Sequence, residues 1–273
     1  MLKAVSTYLY VKERLHPGIL DGLIRHGVQA IEIFAARQHL DYANRKAHVK
    51  EIADWFRGSG VPLNSVHSPL YADYEWGRTG APPINLASID RAGLVTAMDE
   101  VKRAIEIAEQ IPFRFLIQHL GLPNESFSEK KFESAMTSIE HLRAFAKPLG
   151  VRLLLENIPN ELSTPERLME MVQTAHFDDV GICFDFGHAN MMGSVSEAFA
   201  IVKKLVCSTH VHDNNKLQDS HLWPGEGTID WKEAMALLRT APQTPALLLE
   251  LEATDKVNPL EKLQGTFDKL EEI

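Results

Sequence analysis

The chain has 273 residues, with 28 Lys and Arg against 37 Asp and Glu, and so a formal charge of −9. Hydrophobic residues at 45% and charged residues at 24% suit a folded globular chain and exclude disorder or a collagen-like repeat. The longest apolar runs, such as Leu153-Leu154-Leu155, fall far short of the roughly 20 residues that span a bilayer. Net acidity without a Lys/Arg cluster argues against a surface that holds nucleic acid by its phosphates.

A chain of this size buries roughly three quarters of its unfolded surface and needs no disulfide or metal staple. Cys183 and Cys207 sit apart in apolar runs, which predicts two free thiols in a reducing, cytoplasmic setting. The opening residues, MLKAVSTYLYVKERLH, read as a first strand and not as a signal peptide.

In chain order, apolar and β-branched runs predict strands over residues 5–10, 30–34, 63–66, 113–118, 151–157, 180–185, 208–211 and 246–251. Helical spacing fills the gaps, as with Val49, Ile52, Ala53 and Phe56, or Leu94, Ala97, Met98, Val101 and Ile105. Ser163-Thr164-Pro165-Glu166 predicts a helix start with a capping box and a first-turn Pro. Asp230-Trp231-Lys232-Glu233 and Asn258-Pro259 predict two more starts. Eight such repeats of about 34 residues imply parallel strands with crossover helices. No composition shift marks a linker, so residues 1–273 are expected to form one α/β domain, a closed (β/α)8 barrel. No G-x-G-x-x-G follows the first strand and no P-loop occurs, which excludes those two nucleotide cradles. The longest irregular stretch, residues 69–87, carries Tyr71, Tyr74 and Trp76; a lid and a structural aromatic loop are both open readings.

Ionisable residues stand where apolar strands should end: His67, His119, Glu156, Asp185 with His188, His210 with His212, and Glu250 with Glu252. In a parallel barrel all strand C-termini share one face, so these side chains should converge. Each alone has an ordinary explanation as a cap or a salt bridge. Six of eight strands ending this way favours a bound cation, because clustering charges on an apolar core costs several kcal/mol without one.

With these residues in hand, the whole chain resembles the xylose isomerase-like TIM-barrel superfamily, which holds sugar and sugar phosphate isomerases and epimerases and an endonuclease IV branch. The likeness is clearest over residues 151–231, in Glu156-Asn157, in Asp185-x-x-His188, in His210-x-x-Asp213-Asn214, and in DSHLWPGEGTIDW. It implies Glu156, Asp185, His210 and Glu250 as metal ligands, with Asp219 and His221 as additional candidates. It implies His188 as a substrate-binding residue. His67, His119, Lys216 and Trp223 are further candidates for contact with substrate. Lys216 stands where the ketohexose 3-epimerases place an Arg, and Leu162 where they place a Glu.

The implied activity is a metal-dependent isomerase or epimerase acting on a small sugar or sugar phosphate, with Glu156 and Glu250 as the acid/base pair. Such enzymes move a proton next to a carbonyl, and a divalent cation stabilises the charge that develops. Mixed carboxylate and imidazole ligation favours Mn²⁺, with Mg²⁺, Co²⁺ or Zn²⁺ as alternatives. The rival branch, a three-zinc endonuclease IV, has counterparts for its nine ligands in His67, His119, Glu156, Asp185, His188, His210, Asp219, His221 and Glu250. Against it stand the charge of −9 and Ser220, where that branch has Arg. A lyase, a dehydratase or a non-catalytic sugar-binding barrel stays open, as does a homo-oligomer.

Overall fold

The computed structural model describes residues 1–253 and 258–273. Eight parallel strands are β1 (Lys3–Ser6), β2 (Ala30–Phe34), β3 (Leu63–His67), β4 (Phe113–Gln118), β5 (Arg152–Glu156), β6 (Gly181–Asp185), β7 (Val206–His210) and β8 (Leu247–Leu249). Their order is β7-β6-β5-β4-β3-β2-β1-β8, and a single parallel bridge between Val211 and Leu249 joins the two ends into a TIM barrel. Among the described residues nine α-helices alternate with the strands: α1 (Pro17–Arg25), α2 (Lys46–Ser59), α3 (Arg91–Ile105), α4 (Glu129–Ala146), α5 (Pro165–Thr174), α6 (Phe186–Met192), α7 (Val195–Val202), α8 (Trp231–Leu238) and α9 (Pro259–Glu272). None is long and apolar enough to cross a membrane.

The expected strands are all present, with shifted ends. The largest shift is in the first, where Ser6 Oγ accepts from the Tyr8 N–H and starts a tight turn over Thr7–Tyr10. That local bond competes with the strand ladder. The helix starts at Asp230 and Asn258 stand as expected, each with its side-chain oxygen on an early helix N–H. For α5 the cap is Thr164, accepting from Arg167 N–H, while Ser163 turns away and donates to the Leu120 carbonyl.

Strand alternation decides which residues face the barrel axis. On β5, Leu153 and Leu155 pack under the helices, while Leu154 joins an inner cluster with Phe115, Ile117, Cys183 and Cys207. Both thiols are free and buried. Counting on by two, the next inner positions after Leu154, Cys183, Ile117 and Leu248 are Glu156, Asp185, His119 and Glu250. Two irregularities in pairing complete the set. Ile31 pairs with Leu63 but Glu32 with Ser65, and Ile182 pairs with Val206 but Cys183 with Ser208. The extra residue on each strand shifts its phase by one, as a β-bulge does. His67 and His210 thereby come inward with the others.

Candidate metal and substrate site

Glu156, Asp185, His210 and Glu250 each offer a donor atom, and all four atoms lie within 4.8 Å of one another. Glu156 is the hub. Its Oε1 lies 2.9 Å from His210 Nδ1, and its Oε2 lies 3.1 Å from His119 Nε2 and 3.4 Å from His67 Nε2. A second donor group is therefore His67, His119 and Glu156. A third region forms around Asp219, whose Oδ2 lies 3.0 Å from His188 Nε2 and 3.2 Å from His221 Nε2.

Local structure aims these groups. Asp185 caps α6 by accepting from the His188 N–H at 2.6 Å and keeps its second oxygen 3.1 Å from His212 Nε2. The helix start thus holds Asp185 and His188 in one unit. The β7–α8 loop that carries Asp219 and His221 is pinned by Asp213, which accepts from the Gly225 and Ile229 N–H groups and from Trp231 Nε1. His221 then donates from Nδ1 to the Glu250 carbonyl at 3.0 Å.

The electrostatics follow from three buried carboxylates, with Asp219 at the rim, facing six imidazoles. Burial alone would raise the Glu156 carboxyl, yet His210 and His119 beside it hold it well below the usual carboxylate range. Burial likewise opposes charge on His221, but Asp219 outweighs it and pushes the imidazole up to about 9. His188, buried between Asp185 and Asp219, is raised as well. Negative charge at the strand ends is thus matched by imidazolium charge, a role that a cation takes over when the rings serve as neutral ligands.

The donor set fits a divalent cation. Carboxylate and imidazole are the ligands such ions take, and Glu250 Oε1 is buried with no hydrogen-bond partner. An orphaned carboxylate oxygen is costly unless something fills its coordination. Beside the set opens a cavity of about 460 Å³, in the size range of small-molecule sites. His119, His188 and Asp219 reach its wall; the rest is mostly Pro, Leu, Ile and Met side chains, with Tyr71, Ser68 and Gln118.

Most of the candidates named from the sequence meet here; the two open pairs separate, and Lys216 and Trp223 lie away from the cavity. Glu252 is exposed and pairs with Lys12 at 3.0 Å, so Glu250 is the inward member of that pair. His212 stacks on His221 with ring centroids 4.0 Å apart and takes Asp185, while His210 takes Glu156. Lys216 is exposed, has a left-handed backbone, and lines a separate hollow with Asn190, Ser194 and Asp230. Trp223 is buried in the core under the Lys262 ammonium and does not line the cavity. Of the 69–87 loop, Tyr71 alone among its three named aromatics lines the cavity; Trp76 packs on Tyr8 and Phe34, and the Tyr74 hydroxyl donates to Asp41. One residue was missed altogether. Glu32 stands fully buried on β2, 3.2 Å from His210 Nε2. Its signal was a lone acid inside the apolar run AIEIF.

A family model described as a xylose isomerase-like TIM barrel matches residues 20–273. Among curated sequences, an uncharacterised protein of Methanocaldococcus jannaschii is 26% identical over 245 residues, 86% of this chain and 78% of its own. The inosose isomerase of Bacillus subtilis is 24% identical over 173 residues, 59% of this chain and 62% of its own. Among solved structures, a D-tagatose 3-epimerase-like protein superposes with a TM-score of 0.78 at 23% identity, covering 100% of this chain and 97% of that one. The IolI protein with a bound zinc atom superposes at 0.76 and 18% identity, covering 100% and 95%.

Proposed function

The chain belongs to the xylose isomerase-like TIM-barrel family, and on that premise we propose that it is a metal-dependent sugar isomerase or epimerase. The observation that carries this reading is the four-donor set of Glu156, Asp185, His210 and Glu250 beside a small-molecule cavity. The relatives named inosose isomerase and the epimerase-like structure support the reaction class.

These four residues would hold a divalent cation, Mn²⁺ by the chemistry of the ligands or Zn²⁺ by the likeness to zinc-bound IolI. When bound, the ion supplies Lewis-acid stabilisation of negative charge on a substrate oxygen. The protein's own residues do the rest. Glu156 and Glu250 come from β5 and β8, which are not neighbours in the sheet, so they approach a substrate from different sides. One removes a proton next to the carbonyl and the other returns it. His188 and His119, on the cavity wall, orient hydroxyl groups. The apolar remainder of the wall excludes water from the proton-transfer step.

Among the described residues the cavity wall has no Lys or Arg, and its one ionisable carboxylate is Asp219. Binding of a phosphoryl group calls for cationic or helix-end partners. The unphosphorylated sugar or cyclic polyol is therefore the preferred substrate over a sugar phosphate.

A second reading has its own observation. The His67–His119–Glu156 group and the His188–Asp219–His221 contacts flank the central set, as a three-zinc endonuclease IV-like phosphodiesterase requires. One pair of measurements separates the two. Elemental analysis should find one tightly bound metal per chain, and a ketose, aldose or inosose panel in D₂O should show exchange of a carbon-bound proton. Three zinc ions per chain with incision at abasic sites and no proton exchange would replace the first reading with the second.

A further inference from the structure

Glu32 is the one charged residue of β2, it is wholly buried, and the chemistry proposed above does not use it. Ile31 and Ile33 on either side of it turn outward under the helices, so Glu32 faces the barrel interior. A buried carboxylate is costly unless it is hydrogen-bonded, so its partners explain its place. Oε2 accepts from the Ser65 hydroxyl at 2.7 Å. Oε1 lies 3.2 Å from His210 Nε2. The other nitrogen of that ring, Nδ1, faces Glu156 Oε1 at 2.9 Å, Glu250 Oε2 at 3.4 Å and Asp185 Oδ2 at 3.8 Å. Glu32 thus sits behind His210, on the side away from the donor set, and belongs to none of the four donor groups found among the described residues.

We propose that Glu32 is a positioning residue for the metal site, acting through His210. A carboxylate accepts and cannot donate. With a cation held by Glu156, Asp185 and Glu250, Nδ1 would give up its proton to serve as a ligand, and Glu32 would keep the remaining imidazole proton on Nε2, so that the Nδ1 lone pair faces the ion site. Ser65, whose β3 position is set by the extra residue at Asn64, fixes the carboxylate in turn. The chain Ser65–Glu32–His210 runs from β3 through β2 to β7, so the fourth donor is oriented from across the barrel interior. Outer partners of this kind tune metal affinity by about 10- to 100-fold. The inference rests on the donor set as read above, not on the reaction it serves.

The test uses the full chain, Co²⁺ as the probe ion, and a competing chelator. Glu32→Gln replaces the acceptor-only carboxylate with an amide that can offer an N–H to the ring. It should weaken Co²⁺ binding about 10- to 100-fold, alter the visible Co²⁺ absorption, and leave the far-ultraviolet circular dichroism unchanged. In ¹⁵N-resolved histidine spectra of the Zn²⁺-loaded protein, His210 should carry its proton on Nε2 in the wild type. Should Glu32→Gln fail to fold, Ser65→Ala decides: it keeps the carboxylate and should weaken Co²⁺ binding severalfold with a smaller spectral change. A folded Glu32→Gln with wild-type affinity and spectrum overturns the inference, as does an Nδ1–H tautomer at His210. Absence of Co²⁺ binding by the wild-type chain overturns the donor set itself.

Discussion

Gly187 lies against the face of His212 so closely that a β-carbon built on it would come within 2.0 Å of the imidazole Cε1. The glycine leaves room for a ring that touches Asp185 on one side and stacks on His221 on the other. Gly187→Ala must therefore displace His212, and overpacking of this kind costs about 1–3 kcal/mol. Urea unfolding should show that loss, together with weaker metal binding through Asp185. An alanine variant as stable as the wild type would mean that His212 moves aside freely and constrains nothing.

The donor set predicts its own variants. Glu156→Gln and Asp185→Asn should each lose bound metal on dialysis while the helical circular dichroism stays nearly unchanged, since the core of apolar side chains does not depend on an ion. Full metal occupancy in either variant, by elemental analysis, removes that residue from the set.

Glu250→Gln should abolish proton exchange in D₂O, because it removes both a proposed donor and one member of the proposed acid/base pair. Lys216→Ala, at an exposed position outside the cavity, should leave kcat and KM within about twofold, inside the range expected of surface substitutions. A large rise in KM for Lys216→Ala would show that the β7–α8 loop folds over the substrate.

The cavity wall predicts discrimination against phosphate esters. The cavity has no Lys or Arg among its described lining residues, and its His119 and His188 already face Glu156 and Asp219, so a bound phosphoryl group would meet the Asp219 carboxylate without a free cationic partner. kcat/KM for a free sugar or cyclic polyol should exceed that for its phosphate ester by at least about tenfold, or ~1.4 kcal/mol. Comparable values for the two would end the preference proposed here.

His39 supplies a pH dependence away from the metal site. Burial pushes its imidazole down to about 4, while its Nδ1 bonds the Glu13 carbonyl at 2.7 Å and its Nε2 is unpartnered. The unfolded chain takes up a proton near pH 6.5 and the folded chain only near pH 4. Stability is thus full above about pH 6.5 and falls as the pH drops toward 4, by up to ~3 kcal/mol from this residue. His39→Asn keeps a donor for the Glu13 carbonyl but cannot protonate. Urea midpoints measured from pH 7 to 4.5 should fall less steeply for the variant, and identical slopes would refute the assignment.

The sequence exposes the barrel because parallel, doubly buried strands leave apolar runs that end in polar residues, and because helix caps are local. It exposes Glu156, Asp185, His119 and Glu250 for the same reason: they follow an apolar strand in the inward phase. His67 and His210 are named correctly at strand ends, yet what turns them inward is an extra residue at Asn64 and at Cys207, invisible without the partner strand. Glu32 was passed over because one acid in AIEIF does not break a strand, and its partner His210 is 178 residues away. Lys216 and Trp223 lie in a loop whose path is set by Asp213, so a short sequence distance from His210 says little about where they point.

The barrel's thinnest seam lies between β7 and β8, where the Val211 N–H bonds the Leu248 carbonyl at 2.8 Å and the Glu250 N–H the Val211 carbonyl at 3.2 Å. Those are the two strands that deliver His210 and Glu250. Any ion gripped by both side chains therefore also fastens the joint that keeps a curved sheet from opening like an unhooped cask. Binding of such an ion and closure of the scaffold would be one event, and backbone amides at Val211 and Glu250 should exchange with solvent faster once a bound metal is stripped, ahead of those on β4 or β5.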